Sequence, residues 1–367
     1  MISQRSVWVG LLVSAAFLTV FALLFLPIND VREVVREANF WYVAPSLLFY
    51  LAAVYFRSLR WRYLLRPLIE SPKRSLFPVV VVGYMANNIL PVRLGEVVRA
   101  YYVGLREGVN PASAFGTVAV ERVFDVFVLF LVIAVVWVLP VGDLLGRVAD
   151  DLPGGTPTLL ALSLLSFIGV TVIIVAIVVL DPAKTVRMTE RMMFFVPVGI
   201  KGKLLELARR LLEGLAVVRT PRALVAVLLL SLPIWAAEVL MLYVIALGFD
   251  IDSAFGGRVE MIAAISLFMA IANLSLVVPS TAGGVGPFNF FGAVTLVALG
   301  VNEAEAGAYV LTAHIALLLP VTLLGLAILM FDHTSLKSLL GRTRLAHVGE
   351  AGDDLTDDPP VPTKSTI

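Results

Sequence analysis

The stretch MIAAISLFMAIANLSLVVPSTAGGVG, Met261 to Gly286, decides how the chain is read. It opens as an apolar helix, meets Asn273, and ends in Pro279-Ser-Thr-Ala-Gly-Gly-Val-Gly286. An amide, a proline and three glycines inside apolar sequence free backbone groups that hydrocarbon cannot satisfy, so protein or water must satisfy them. A second stretch has the same order: Phe77–Leu90 is apolar, carries Asn87-Asn88, and breaks at Pro91-Val-Arg93-Leu-Gly95. Both stretches read as elements that enter a membrane and turn back.

The remaining sequence supplies the membrane. Of 367 residues, 59% are hydrophobic and 15% charged, whereas soluble domains carry about 25% charged residues. That deficit leaves too little polar surface for water. Further apolar segments run over Val7–Leu26, Phe40–Phe56, Val118–Leu139, Leu159–Leu180, Ala223–Leu247 and Ala304–Phe331, with a weaker one at Phe288–Leu299. The first is near the ~20 residues a spanning helix needs, and longer than a signal-peptide core. Period-two alternation is absent, which argues against a barrel.

Loop charges orient the segments. With the N-terminus cytoplasmic and both broken elements re-entering, loop 57–76 is inside with six bases against Glu70. Loop 181–222 is inside with nine bases against four acids, and loops 140–158 and 248–260 are outside and mainly acidic. This obeys the positive-inside rule; had either broken element crossed alone, the downstream signs would invert. The expectation is an all-α polytopic protein of the plasma (inner) membrane. It has six full spans and two re-entrant elements, about eight membrane-embedded segments, with both termini cytoplasmic.

Residues 1–341 read as one integral membrane domain and 342–367 as a disordered acidic, proline-containing tail. Within the domain the segment 183–219 is amphipathic, with Leu204, Leu207, Leu211, Leu215 and Val218 on one face. It rests either on the lipid surface or against the spans. The chain also repeats itself, over about 7–139 and 159–331. Gly108-Val-Asn110 answers Gly300-Val-Asn302, each follows a broken element, and each precedes a basic residue fourteen positions from its glycine, Arg122 and His314. Three crossings per unit make the repeat inverted, and inverted repeats with broken elements place a transporter-like site at their interface.

Charge inside the apolar segments marks candidate site residues. Arg93, Glu96 and Arg99 recur every three residues on one face, and Glu121, Arg122 and Asp125 interrupt a long span. These six read as an ion-pair network, for example Arg93 with Glu121 or Glu96 with Arg122. Such a network holds a cavity open and leaves an arginine for a phosphate. Arg57 and Arg60 share a face and suit phosphate, while Arg62 reads as an interfacial anchor. Glu238 is a lone intramembrane acid, a cation site or an arginine partner; Asn88 sits at the first break. His314 reads as a hydrogen-bonded interior histidine. Ser280, Thr281, Gly283, Gly284 and Gly286 form a nest suited to an anion. No cysteine, metal-ligand spacing, nucleophile elbow or dinucleotide fingerprint occurs, so neither metal, cofactor nor catalytic residue is expected.

Taken together, Arg57-x-x-Arg60-Trp61, Asn88-x-x-Pro91-x-Arg93-x-Gly95-Glu96-x-x-Arg99, Glu121-Arg122-x-x-Asp125 and Pro279-Ser-Thr-x-Gly283-Gly284-x-Gly286 resemble the lysylphosphatidylglycerol synthase transmembrane-region, or flippase-like domain, family, over roughly Val7 to Phe331. In the bacterial multiple peptide resistance factor a similar domain moves aminoacylated phosphatidylglycerol between leaflets, and a separate soluble domain makes that lipid. The resemblance therefore implies lipid handling. The short sequence after Phe331 argues against aminoacyl transfer, so the chain is expected not to be an enzyme. One departure is Asn289, where members of the family often carry an acid.

The function expected is translocation or binding of a lipid with an anionic headgroup, a phospholipid or polyprenyl phosphate. Arg93, Arg99 and Arg122 would hold the phosphate. Membrane lipids are the expected partners, and no nucleic acid is. The rivals are a lipid- or glycan-modifying membrane enzyme and a non-transporting scaffold for envelope assembly.

Overall fold

The computed structural model describes residues 4–69, 75–90, 93–139, 144–150, 155–179, 182–192, 198–277 and 282–332. Among them every regular element is helical and none is a strand. Chain order gives α1 (Gln4–Phe25), α2 (Ile28–Glu37), α3 (Val43–Leu64), α4 (Phe77–Ile89), α5 (Gly95–Glu107), α6 (Pro111–Val138) and α7 (Leu144–Asp150). Then follow α8 (Gly155–Val179), α9 (Pro182–Met192), α10 (Val198–Leu215), α11 (Pro221–Leu247), α12 (Arg258–Ser275), α13 (Pro287–Ala298) and α14 (Glu303–Phe331). Ser280, Thr281, Pro91 and the expected tail 342–367 lie outside the described residues.

Among the described residues, four stretches are long and apolar enough to cross a membrane: Phe40–Leu64, which contains α3, together with α11, α12 and α14. The bent pair Gly10–Phe25 and Asp30–Glu37, at 82°, makes a fifth if counted as one span. Helix α6 is 28 residues long and interrupts its apolar run with Glu121, Arg122 and Asp125.

The two elements expected to re-enter differ in length. Helix α4 has 13 residues, about 20 Å at 1.5 Å per residue against a hydrocarbon core of ~30 Å. Helix α12 begins at Arg258, ahead of the expected apolar edge at Met261, and its 18 residues reach spanning length. Apolarity marks where a helix meets hydrocarbon; the helix itself continues through the polar residues Arg258 and Glu260 in its first turn.

The two Gly-Val-Asn sequences act alike. Gly108 ends α5 in the left-handed region, φ 75°, and Asn110 caps α6 by accepting from the Ala112 N–H at 2.9 Å. Gly300 follows α13 with φ 100°, and Asn302 caps α14 by accepting from the Ala304 N–H at 2.9 Å. A glycine stop followed by an asparagine cap closes one helix and opens the next.

The packing brings both halves together. Helix α3 lies along α11, α4 along α14, and α12 along α6. Each broken element also folds on itself, α4 against α5 and α12 against α13. Glycines set the closest approach: a Cβ on Gly95 would stand 2.1 Å from the Gly83 carbonyl oxygen. Small residues of this kind let helix backbones meet where apolar surface alone gives no drive to associate.

Helix α10, the amphipathic segment, is docked on α6. A Cβ on Gly214 would lie 2.2 Å from the Ser113 carbonyl oxygen, and the Ser113 hydroxyl donates to Glu213 at 3.2 Å. The helix packs on α6, while Leu204 and Leu207 of its apolar face stay exposed.

Candidate functional site

Four carboxylates and five guanidiniums gather where α3, α5, α6 and α11 meet. Helix α3 presents Arg57 and Arg60 one turn apart, and both are buried. Arg57 pairs with Glu238 of α11 and donates to the Tyr84 hydroxyl at 3.0 Å. Its guanidinium lies 5.1 Å from the Trp235 ring centre. Glu238 accepts a second hydrogen bond, from the Asn273 amide at 3.0 Å. The lone acid of the sequence is thus an arginine partner, as burial of a charge requires.

Arg60 reaches Asp125 at 2.7 Å and Glu121 at 3.3 Å, and donates to the Ser231 hydroxyl at 2.9 Å. Arg99 grips Glu121 with both terminal nitrogens, at 3.2 and 2.9 Å, and stacks 3.9 Å over the Trp61 ring. Arg122 spans Glu96, Glu121 and Asp125 at 3.3–3.4 Å and keeps 30% of its side chain accessible. The expected Glu96–Arg122 pair forms. The alternative Arg93–Glu121 pair does not, because Glu121 is already held by Arg60, Arg99 and Arg122.

Arg93 is different. It is exposed and has no ion pair or hydrogen bond with any described residue. Its backbone has φ 52°, a left-handed conformation uncommon outside glycine and costing of order 1–3 kcal/mol. The group holds Arg57, Arg60, Arg93, Arg99 and Arg122 against Glu96, Glu121, Asp125 and Glu238, which is 5 − 4 = +1 in formal charge.

That spare charge faces a cavity of about 140 Å³, roughly ten times the ~10–15 Å³ a single water requires. Arg57, Arg93, Glu96, Arg122 and Glu238 line it, with Asn87, Asn88 and Asn273 from the ends of α4 and α12. Tyr50 and Tyr84 line it as well; no charge pattern could have singled them out. Arg60, Arg99, Glu121 and Asp125 do not line it. They stand behind the wall, so Arg99, expected to hold phosphate, is instead committed to Glu121.

The second break closes the opposite wall. Gly283 and Gly284 line the cavity, both with φ 72°. Gly286 does not; a Cβ there would meet the Ser14 carbonyl oxygen at 2.8 Å, so this glycine serves the contact with α1. His314 of α14 contacts the Gly283 carbonyl oxygen and Asn289 Oδ1, each at 3.0 Å, and its ring lies 4.4 Å from that of Phe288. This is the interior, hydrogen-bonded histidine expected. Asn289 is buried beside it. Each long helix therefore reaches back to the break before it, α6 through Arg122 to Glu96 and α14 through His314 to Gly283. Asn88 ties the first break across to α14, donating to Thr322 at 3.0 Å and to the Leu318 carbonyl at 3.2 Å. Among the described residues no cluster of metal-binding side chains occurs.

The family model of the lysylphosphatidylglycerol synthase TM region matches residues 7–325. A glycosyltransferase, AglD of Haloferax volcanii, is 30% identical over 313 residues, 78% of this chain and 49% of that protein. The chain thus spans about half the length of that relative. A UPF0104 membrane protein of Methanothermobacter thermautotrophicus is 26% identical over 313 residues, 81% of this chain and 85% of its own. A UPF0104 membrane protein of Methanocaldococcus jannaschii is 30% identical over 119 residues, 31% of this chain and 35% of its own. No solved structure matches the chain. The chain is a multi-pass integral membrane protein and belongs to the lysylphosphatidylglycerol synthase TM-region family.

Proposed function

We propose that the cavity binds the phosphate of an anionic membrane lipid and that the protein carries this headgroup across the membrane. The observation that carries the reading is Arg93, a guanidinium in no salt bridge or hydrogen bond with a described residue, lining a polar cavity inside an apolar protein. An accessible guanidinium held by no salt bridge keeps its N–H donors for an anion, and a phosphate accepts several of them. Arg122, partly accessible and already held by three acids, is the second contact. Arg60, Arg99, Glu121 and Asp125 fix Arg122 in place from behind. No residue acts as a nucleophile or acid–base catalyst in this reading, and no cofactor takes part.

The chain is read as two inverted units with six full spans, lying in the plasma membrane with both termini cytoplasmic. The crosswise pairing of α4 with α14 and of α12 with α6 supports a two-fold relation between the halves. The cavity then lies on their interface, where one half can tilt against the other.

The test is a reconstituted vesicle assay that follows a fluorescent phosphatidic acid between leaflets. Movement that depends on the protein and on Arg93 supports the reading, and equal movement with empty vesicles rejects it.

One observation favours a second reading. The Haloferax relative, 30% identical over 78% of this chain, is named a glycosyltransferase. In that reading the same phosphate site serves a membrane enzyme that modifies lipid or glycan. Mass spectrometry of lipids and glycans from a deletion strain separates the two: altered structures favour the enzyme, and altered sidedness of unchanged lipids favours the carrier.

A further inference from the structure

A second concavity, of about 550 Å³, opens between α3 and α14. Trp41, Ala44 and Leu47 form one wall, and Ile315, Leu319 and Pro320 the other. It holds no charged residue. Its polar side chain, Thr312, donates its hydroxyl to the Ala308 carbonyl at 2.9 Å and asks nothing of an occupant. Ile315 and Leu319 are 57% and 53% exposed in the middle of a helix long and apolar enough to cross a membrane.

The same two helices wall the polar cavity. On α3, Tyr50 faces the cavity one turn after Leu47 faces the groove; on α14, His314 and Leu318 face the cavity while Ile315 and Leu319 face the groove. One helical turn is ~5.4 Å, so a polar pocket with a surplus positive charge and a larger apolar groove adjoin along a shared wall. An amphiphile with a phosphate at one end and hydrocarbon at the other matches both in order.

We infer that the groove between α3 and α14 seats a hydrocarbon chain of the same lipid whose phosphate enters the cavity. The lipid is held by head and chain together rather than by its head alone. This rests on the phosphate reading of the cavity. Apolar burial scales with the area removed from water, so affinity depends on chain length, and that dependence resides in the groove.

The experiment uses the full chain in detergent micelles, titrated by native mass spectrometry with dioleoyl phosphatidic acid, dihexanoyl phosphatidic acid and inorganic phosphate. The long-chain lipid binds at least about tenfold more tightly than the short one. Ala44→Trp, at an exposed groove position, removes most of that preference and leaves phosphate and dihexanoyl binding unchanged. Leu47→Trp gives the same result by filling the groove independently. A chain-length preference unaltered in both folded variants overturns the groove and leaves the cavity reading standing. Arg93→Gln weakens all three probes; if it changes none of them, the cavity reading fails and the groove proposal with it.

Discussion

Arg99 and Glu121 face each other through two hydrogen bonds, of 3.2 and 2.9 Å, with neither side chain more than 4% exposed. The pair is the rear anchor of the cavity wall. Its acid is shared by Arg60 and Arg122, so one carboxylate holds three guanidiniums from three helices. The arrangement separates structural charge behind the wall from available charge within the cavity.

Removing that acid should therefore unfold the protein before it alters selectivity. Glu121→Gln leaves two buried cations, Arg60 and Arg99, and the partly accessible Arg122 short of charge, and loss of one partner from a buried pair costs about 3–5 kcal/mol. Thermal unfolding in detergent should show a large drop in midpoint. Glu96→Gln, at a more exposed acid, should show a much smaller one.

The Arg57–Glu238 pair joins α3 to α11 across the middle of the molecule. Arg57→Met and Glu238→Leu each strand a buried charge, whereas the double variant strands none. The double variant should be more stable than either single one, with a coupling energy of about 0.5–3 kcal/mol. Additive losses in a denaturation cycle would show that the pair is not coupled.

His314 closes the second break by contacting Gly283 and Asn289. His314→Ala removes the ring that contacts the Gly283 carbonyl and Asn289 Oδ1, and an acceptor that loses its one N–H donor costs about 1–3 kcal/mol. Proteolysis near Gly283 should accelerate, and His314→Gln, which retains a donor, should restore part of the protection.

Helix α10 sits on α6 because Gly214 admits the Ser113 carbonyl. Gly214→Leu forces the two backbones apart. Trypsin cleavage at Arg209 and Arg210 should become faster, with little change at sites in other helices. Equal cleavage in both proteins would place α10 elsewhere.

Much of this was legible in the sequence because lipid punishes unpaired polarity. Charges at Glu121, Arg122 and Asp125 inside apolar sequence could only face protein, and Asn88 and Asn273 beside proline and glycine could only mark breaks. The division of labour among the arginines was not legible. Arg93 and Arg99 share a helical spacing, and only the fold shows that Arg99 meets Trp61 and Glu121 while Arg93 is left over. Tyr50 and Tyr84 were invisible for a related reason: an aromatic residue in an apolar helix carries no signal until its hydroxyl finds Arg57 or a cavity. Helix α12 runs from Arg258 to Ser275, three residues ahead of the apolar segment Met261–Val278 at each end, because its first turn is charged and hydropathy starts only where charge stops.

The most direct measurement concerns Arg93. Purified protein in liposomes is assayed for transfer of fluorescent phosphatidic acid between leaflets, comparing the unaltered chain with Arg93→Gln and Arg93→Lys. A charge-assisted hydrogen bond contributes about 1.5–3 kcal/mol, or roughly ten- to a hundredfold. Transfer should fall by that factor in Arg93→Gln and recover in part in Arg93→Lys, with thermal stability unchanged in both. Equal transfer by all three proteins would contradict the claim that a spare cation in the cavity receives the lipid phosphate.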